Sequence, residues 1–280
     1  MTQRTWFITG VNSGFGREMT EQLLARGDRV AGTVRKMETM NDLKGKYGDR
    51  LWLANLDVTD LSTIRGVVDQ AFADLGQIDV IVNNAGYGLF GAAEELSDDQ
   101  VLHQINTNLV GPIQVVRAAL PHLRAQGGGR IIGLSTYGGQ AAFPAGSLYH
   151  ASKWGLEGFL DAIAAELAVF KIGVTIVEPG GARTNFRYGG AQFGDQLDAY
   201  KNTPAAMVRA MVNDTSRLPP GDPVKMASVM IESVDQEPAP KRIVLGSDSW
   251  GIIQKALSER LACVEAQKDL AASTDFPVGK

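Results

Sequence analysis

Short apolar runs alternate with longer amphipathic segments through most of the chain. The apolar runs that predict strands cover residues 5–9, 29–34, 51–56, 78–82, 130–134, 174–177 and 241–245. Segments with helical periodicity separate them, at 17–26, 60–75, 97–123, 147–170, 222–234 and 250–267. Strands that alternate with helices predict a parallel sheet covered by helices on both faces. We therefore expect an α/β fold with a doubly wound parallel sheet, in a single domain that spans residues 1–280.

The pattern weakens between residues 186 and 220, which are rich in Gly, Asp, Pro and aromatic residues. One helix is predicted there, around 204–212. A long irregular segment inside a compact domain is usually a lid or a mobile loop, so we expect this segment to cover a substrate. Residues 250–280 form a C-terminal extension, whose tail after Ala271 we expect to be disordered.

Composition narrows the class of protein. Hydrophobic residues make up 44% of the chain and charged residues 21%, as in ordinary globular proteins. The net charge of -4 gives no electrostatic reason to expect nucleic acid or an anionic membrane as partner. Cys263 is the only cysteine, which excludes an intrachain disulfide. No apolar run approaches the ~18 residues that span a membrane, and no signal peptide precedes the first strand, so we expect a cytoplasmic protein.

The three histidines do not suggest a metal site. His103, His122 and His150 stand alone, without the spacing of metal ligands. We interpret them as structural or solvated side chains and predict no metal.

A glycine-rich turn follows the first predicted strand and leads directly into a helix. Its pattern is Thr-Gly-x-x-x-Gly-x-Gly, and the residues at the turn are Gly10, Asn12, Ser13, Gly14, Phe15 and Gly16. Glycines let the backbone approach an anion closely, and the free N–H groups and the dipole of a helix start favour negative charge. A flexible loop is the alternative interpretation. The flanking strand and helix favour a dinucleotide pyrophosphate site.

The residues at the end of the second strand indicate which dinucleotide the site would bind. An NAD site usually has an acidic residue there, which binds the ribose hydroxyls. Here Val34 ends the strand, and Arg35 and Lys36 follow it. Two cations without a carboxylate suit the additional phosphate of NADP. A solvated basic pair is the alternative, and we favour NADP.

Polar residues follow the third and fourth strands as well. Asp57 and Val58 follow the third, and Asn83, Asn84, Ala85 and Gly86 follow the fourth. The carboxyl ends of parallel strands meet at one edge, where ligands bind. We expect these residues beneath the nucleotide, although a simple polar turn has the same composition.

Tyr149 and Lys153 are the candidate chemical pair. Four residues apart in a helix, they share one face. A phenol has a pKa near ~10, and a neighbouring cation lowers that pKa. The pair could then exchange a proton with an alcohol or a carbonyl at neutral pH. The spacing alone also arises by chance on helix surfaces, and the upstream turns are what favour a site.

Taken together, these motifs resemble the short-chain dehydrogenase/reductase family. The matching residues are Thr9, Gly10, Gly14, Gly16, Asp57, Asn83 to Gly86, Asn108, Tyr149, Lys153, Pro179 and Gly180, in the family's order over residues 4–184. The resemblance implies a Rossmann-type fold and hydride transfer between a nicotinamide and an alcohol or carbonyl carbon.

The resemblance also implies residue roles. Tyr149 would protonate the forming alkoxide, and Lys153 would bind the nicotinamide ribose and lower the pKa of Tyr149. Asn108 would hold a water that links Lys153 to solvent. The implied cofactor contacts are Asp57 and Val58 beside the adenine, Ala182 and Thr184 at the carboxamide, Ser13 with Arg35 at the ribose phosphate, and Asn83, Ala85, Gly86, Pro179 and Gly180 along the edge.

One position departs from the family's pattern. The substrate-orienting serine normally lies thirteen residues before the tyrosine, and Thr136 occupies that position here. A threonine hydroxyl can still donate to a carbonyl oxygen, but its methyl group restricts the rotamer. We assign the role to Thr136 and keep Ser135 as the substitute.

The substrate side resembles the hydroxysteroid and retinol dehydrogenase-like branch, through the segment from Tyr87 to Gly91 and the C-terminal extension. Phe143, Phe186 and Phe193 should surround the pocket with Tyr87 and suit an apolar or aromatic carbonyl compound. The alternative is that these aromatics are core residues.

The leading hypothesis is an NADP-dependent carbonyl reductase or alcohol dehydrogenase without a metal. Alternatives are a non-catalytic dinucleotide sensor that binds a partner through 186–220, and another nicotinamide-dependent reaction such as epimerisation. The predicted helix at 147–170 carries small residues at Ala151, Gly155, Gly158 and Ala162. With the resemblance, this face predicts a homodimer or homotetramer.

Overall fold

A computed structural model describes residues 3–214 and 216–276, and its centre is a seven-stranded parallel sheet. The strands of the chain are β1 (Thr5–Thr9), β2 (Arg29–Val34), β3 (Leu51–Asn55), β4 (Val80–Asn83), β5 (Gly88–Phe90), β6 (Gly129–Leu134), β7 (Ile172–Pro179), β8 (Ala191–Phe193) and β9 (Arg242–Leu245). The sheet has the order β3-β2-β1-β4-β6-β7-β9. This order confirms the predicted doubly wound α/β fold in a single domain.

Helices cover both faces of the sheet. They are α1 (Gly14–Ala25), α2 (Asn41–Tyr47), α3 (Leu61–Leu75), α4 (Asp98–Ile105), α5 (Gly111–Ala125), α6 (Ser147–Leu167), α7 (Asn185–Gly189), α8 (Pro204–Asn213), α9 (Pro223–Glu232), α10 (Ser247–Glu265) and α11 (Lys268–Ala272). Three of them begin at capping residues, because the side chains of Asp60, Ser97 and Asp222 accept backbone N–H groups of the first helical turn.

Two apolar cores lie on opposite faces of the sheet, because successive strand residues point to opposite sides. In β1, Phe7 packs into the core under α3, α5 and α6, whereas Trp6 and Ile8 pack into the core under α1 and α9. All three side chains are fully buried. A strand buried on both faces reads as a continuous apolar run, which is why the sequence predicted these strands.

The structure adds elements that the sequence analysis did not predict. The helix α2 was missed, and the segment after Phe186 contains α7 and the strand β8. The three residues of β8 pair in parallel with β5, with Phe90 opposite Phe193. A three-residue strand has too little periodicity to be recognised in a sequence. The helix α11 extends to Ala272, and the part of the expected disordered tail at 277–280 lies outside the described residues.

Thr9 joins the two turns at the ligand edge of the sheet. Its Oγ1 accepts hydrogen bonds from the backbone N–H groups of Asn84 and Ala85, each at 3.0 Å. The Asn84 side-chain Nδ2 donates to the carbonyl oxygens of Thr9 and Gly10 at 2.8 and 3.0 Å. The turn after β4 is therefore fastened to the glycine turn after β1.

In the described part of the chain, no helix is both long and apolar enough to cross a membrane.

Replacing Thr9 by Val should loosen this junction. The buried N–H groups of Asn84 and Ala85 would lose their acceptor, at a cost of about 1–3 kcal/mol in unfolding free energy. We expect a lower urea midpoint and faster amide hydrogen exchange at these two residues. Ile8→Val is the control, because it removes one methylene from the same strand and leaves the acceptor in place. Unchanged exchange at both amides in Thr9→Val would contradict this role.

Candidate active site

Tyr149 and Lys153 lie on the inner face of α6, over the carboxyl ends of β6 and β7. The side chains are nearly inaccessible, with relative exposures of 9% and 6%. The Lys153 Nζ donates a 2.7 Å hydrogen bond to the carbonyl oxygen of Leu134, the last residue of β6. This bond fixes the lysine to the edge of the sheet.

The structure separates the two candidate hydroxyls after β6. The Thr136 side chain is near enough to the Tyr149 hydroxyl to act on the pKa of that phenol, and its Oγ1 donates to the carbonyl oxygen of Pro179 at 3.4 Å. The Ser135 Oγ instead donates to the carboxylate of Glu157. Adjacent residues in extended backbone point to opposite sides, so only one of the two hydroxyls faces Tyr149. That one is Thr136.

Asn108 braces the site from a π-helical turn, Asn106–Val110, between α4 and α5. Its side chain is fully buried. Its Nδ2 donates to the Tyr87 carbonyl at 2.8 Å, and its Oδ1 accepts the Tyr87 N–H at 3.1 Å. A Cβ on Gly86 would lie 3.0 Å from this Oδ1 and 3.7 Å from Lys153 Nζ. Such π-turns often occur at functional sites.

The ionisation of the pair differs from the sequence prediction. Burial raises the pKa of Tyr149, and this effect outweighs the lowering by the Thr136 hydrogen bond. Burial also lowers the pKa of Lys153 to about 8, against a raising effect of Glu157. The predicted lowering of the tyrosine pKa by Lys153 is therefore wrong for the protein alone. A dry environment disfavours the charged form of both groups.

Aromatic rings form one wall beside Tyr149. The rings of Phe90 and Phe186 each lie 5.9 Å from the Tyr149 ring, and Phe193 lies 6.0 Å from Phe90. Phe143 packs on His150 at 5.7 Å. Exposures of 38% for Phe186 and 37% for Phe143 show that these two rings are partly open to solvent and are not core residues.

Tyr87 does not join this wall. Its hydroxyl lies 2.8 Å from Nδ1 of His103, and its ring packs with Leu96 and Leu148. The other histidines also have structural contacts, as predicted: His150 Nδ1 donates to the Gly138 carbonyl, and His122 pairs with Asp69.

The glycine turn has the features of an anion cradle. Gly10 and Gly14 have φ values of 73° and 55°, a region that favours glycine. A Cβ on Gly16 would lie 2.2 Å from the Gly10 carbonyl oxygen, so the turn can close only with glycine there. Ser13, the N-cap of α1, makes no side-chain cap bond, and the first turn has no acidic residue. The first N–H groups of the helix therefore suit an anionic ligand.

The adenosine side of the predicted cofactor site carries Arg35 and Asp57. Arg35 is exposed directly after β2. Burial raises the pKa of Asp57, but the hydrogen bonds from Thr59 and the charge of Arg35 outweigh it, so that the pKa lies below its usual value. Val58 is buried next to Asp57. Arg35 is thus close enough to Asp57 for its charge to lower the pKa of that carboxyl.

The remaining predicted cofactor residues line the same edge. Asn83 is buried, its Nδ2 donates to the Pro112 carbonyl, and its Oδ1 has no partner among the described residues. After β7, the Gly180 N–H donates to the Leu245 carbonyl at 2.7 Å. The Thr184 side chain would lie 3.7 Å from a Cβ on Gly14, which places the loop of Pro179, Gly180, Ala182 and Thr184 opposite the glycine turn.

The structure also places groups at the site that sequence reasoning missed. The buried carboxylates of Glu157 and Glu178 pair with the partly exposed Arg242 behind Ser135. Asp248 accepts the Gly181 N–H at 2.8 Å and so supports the loop after β7. Only Glu157 had a signal in the sequence, because it lies one helical turn after Lys153.

This combination of sheet, glycine turn and Tyr–Lys pair is typical of Rossmann-fold oxidoreductases. Residues 4–190 match the family model described as short chain dehydrogenase. The chain therefore belongs to the short-chain dehydrogenase/reductase family, as the motifs had indicated.

Two curated relatives illustrate the similarity. An oxidoreductase, BOA17, from Botryotinia fuckeliana is 33% identical over 272 residues, which cover 97% of this chain and 99% of the relative. The 3-ketodihydrosphingosine reductase from Bacteroides thetaiotaomicron is 37% identical over 180 residues, or 64% of each chain.

Solved structures share the fold. A short-chain dehydrogenase from Streptomyces avermitilis is 37% identical, covers 99% of this chain and 100% of its own, and superposes with a TM-score of 0.91. More distant structures, 21–24% identical with TM-scores from 0.69 to 0.71, contain NADP or 5-hydroxy-NADP. At that identity they support the shared fold alone.

Proposed function

We propose that this protein is an NADP-dependent oxidoreductase that reduces a ketone or aldehyde, or oxidises the matching secondary alcohol, without a metal. The observation that carries the proposal is the buried Tyr149 side chain, which lies near Thr136 and one helical turn from Lys153. The glycine turn at the same sheet edge suits the pyrophosphate of the cofactor. When bound, the nicotinamide supplies or accepts the hydride.

Residues of this chain then supply the proton that the reduction requires. In reduction, the Tyr149 O–H donates its proton to the carbonyl oxygen as that oxygen gains charge. Because burial raises the pKa of Tyr149, the phenol holds its proton at neutral pH until a stronger base forms beside it. The Thr136 hydroxyl offers the oxygen a second hydrogen bond, and the Lys153 ammonium stabilises the phenolate left behind.

Asn108 would support the return of the proton. Both polar atoms of its side chain are engaged by the Tyr87 backbone. We therefore propose that its side chain keeps the π-helical turn in place, and that any water between Lys153 and solvent is held by the backbone of that turn.

The preference for NADP rests on the end of β2. Arg35 provides a cation there, no carboxylate follows the strand, and the exposed Ser13 hydroxyl caps no helix N–H. A guanidinium and a hydroxyl together suit a ribose phosphate.

The substrate would be apolar or aromatic. Phe90, Phe186 and Phe143 surround the approach to Tyr149, and none of them carries a polar group that would bind a sugar or an acid. A relative named 3-ketodihydrosphingosine reductase is, by its name, a reductase of a keto compound. That agrees with the ketone class proposed here.

Residues 186–220 would act as the lid over this substrate. The lid is attached at one end through the pairing of β8 with β5. Arg209 of α8 pairs with the buried carboxylate of Glu95 at 3.6 Å and donates to the Gly194 carbonyl at 2.6 Å. The ion pair with Glu95 holds the lid against the segment that follows β5, whereas the bond to Gly194 ties α8 to the residue after β8 within the lid.

A fluorescence titration with NADPH and NADH tests the cofactor. We expect tighter binding of NADPH, and a loss of about 10- to 100-fold in NADPH affinity in Arg35→Asp, the value of one charged hydrogen bond. Lys36→Asp is the matched control, with the same charge change one residue further along. Equal losses in both variants, or a preference for NADH, would contradict the specific role of Arg35.

A panel of aromatic and aliphatic ketones, followed by NADPH consumption, tests the chemistry. Tyr149→Phe should lower kcat by about 100- to 10,000-fold without weakening NADPH binding. Thr136→Ala should lower kcat/KM by about 100-fold, whereas Ser135→Ala should remain near wild type, since its hydroxyl faces Glu157. An inactive Ser135→Ala beside a normal Thr136→Ala would reverse the assignment, and NADPH binding without turnover of any ketone would favour a sensor.

The proposed homodimer or homotetramer would form through α6, where Ala151, Gly158 and Ala162 are exposed. A side chain at Gly158 meets no atom within 4 Å in the protomer. Light scattering should give a mass of two or four chains for the wild type and a smaller mass for Gly158→Glu. Gly66→Glu on α3, equally unobstructed, should keep the wild-type mass. A monomeric wild type would refute the proposal.

A further inference from the structure

A buried cluster of carboxylates lies on the far side of the substrate-orienting loop from the aromatic wall. Arg242 of β9 joins three of them: its guanidinium lies 3.2 Å from Glu157, 3.0 Å from Glu178 and 2.7 Å from Asp161. The side chains of Glu157 and Glu178 are 4% and 1% exposed, whereas that of Asp161 is 46% exposed. Burying acidic groups is costly unless they are paired, so the cluster calls for an explanation.

Glu157 is the member that touches the reaction site. Its Oε1 accepts the hydroxyl proton of Ser135, and its Oε2 accepts from the Gln140 Nε2 and from Arg242. A Cβ on Gly139 would lie only 1.9 Å from Oε1. The loop after β6 thus has a glycine at the position that the Glu157 carboxylate contacts.

The same carboxylate lies one helical turn from Lys153, on the same face of α6. The other groups described around the ammonium are neutral: the carbonyl of Leu134, the amide of Asn108 and the backbone of Gly86. Burial lowers the pKa of Lys153 to about 8, and Glu157 is the charged group that acts against this lowering.

The cluster contains more carboxylates than cations. Three carboxylates face the single guanidinium of Arg242. The Arg260 guanidinium donates to the Gln140 carbonyl at the outer edge and lies over the Trp154 ring, 4.8 Å from its centroid. Burial, and then the charge of Glu157, raise the pKa of Glu178 to about 7. Near neutral pH, Glu178 can therefore take up a proton, while the Glu157 carboxylate accepts hydrogen bonds from Ser135, Gln140 and Arg242.

We propose that Glu157 is a positioning residue for the reaction, which turns Ser135 away from the substrate pocket and keeps Lys153 in its charged form. The inference rests on the proposed function. It explains why Thr136, and not the neighbouring serine, faces Tyr149. It also gives the buried lysine a counter-charge within its own helix.

The pH dependence of ketone reduction tests the proposal. If Lys153 must be charged, activity falls as the pH rises through its pKa. Removing the negative charge of Glu157 lowers that pKa, so the alkaline limb of kcat/KM should move to lower pH in Glu157→Ala and Glu157→Gln. A nearby charge at an intermediate effective dielectric corresponds to a shift of about one pH unit. Glu157→Asp keeps the charge and should restore the limb toward the wild-type position.

Asp161→Asn is the matched control. It removes a carboxylate from the same guanidinium on the same helix, but Asp161 touches neither Ser135 nor Lys153. A structural role through Arg242 alone would lower the melting temperature in both variants and shift the alkaline limb in neither.

A second measurement needs no ligand. Because the folded-state pKa of Lys153 lies below its ordinary value of 10.5, the unfolded chain binds more protons between the two values, and stability rises with pH in that window. In Glu157→Ala the rise in melting temperature should begin at lower pH than in wild type. In a Lys153→Met background, the Glu157 substitution should no longer alter that rise.

The outcomes separate the two proposals. A wild-type protein that turns over no ketone contradicts the proposed function. The wild-type enzyme could be active while Glu157→Ala and Asp161→Asn both keep its alkaline limb and its melting profile. That result would contradict only the role of Glu157. If Glu157→Ala does not fold, Glu157→Gln decides, because the amide keeps an oxygen acceptor for Ser135 and removes only the charge: an alkaline limb at the wild-type pH in Glu157→Gln contradicts the proposal.

Discussion

Parallel pairing of β1, β4, β6 and β7 is the constraint on which the site depends. Each strand must end at the same edge of the sheet, so four loops that are far apart in sequence are brought next to one another. The glycine turn, the Asn84 turn, Thr136 and Gly180 all enter the site in this way. Side-chain bonds such as those of Thr9 then fix the loops against each other, and α6 carries the Tyr–Lys pair across them.

The pKa values of Tyr149 and Lys153 are shifted more by burial than by neighbouring charges. The same dry environment that keeps Tyr149 protonated also disfavours the ammonium of Lys153. A lysine in such a place keeps its charge only if hydrogen-bond acceptors and a carboxylate surround it. The carbonyl of Leu134 and the carboxylate of Glu157 meet these two needs.

Most of the sheet could be predicted from the sequence, because strands buried on both faces are continuous apolar runs. The assignment of Thr136 also followed from spacing, and the alternation of extended residues supports it. The direction of the Tyr149 pKa shift could not be predicted, since it depends on how deeply the ring is buried. The contact of Glu157 with Arg242 joins residues 85 positions apart, and no local pattern reveals it. The pairing of β5 with β8 was hidden for the same reason.

The ribbon of β5 and β8 also bears on the order in which parts of the protein come apart. Two strands of three residues cannot hold together by themselves in water. They stay paired because β4 and β7, on which their loops begin, are fixed within the large sheet. Separation of the ribbon therefore breaks few buried contacts and belongs to the low-energy openings of the native state, far below global unfolding. Phe193 can therefore separate from Phe90 while Tyr149 and Lys153 stay in place on α6.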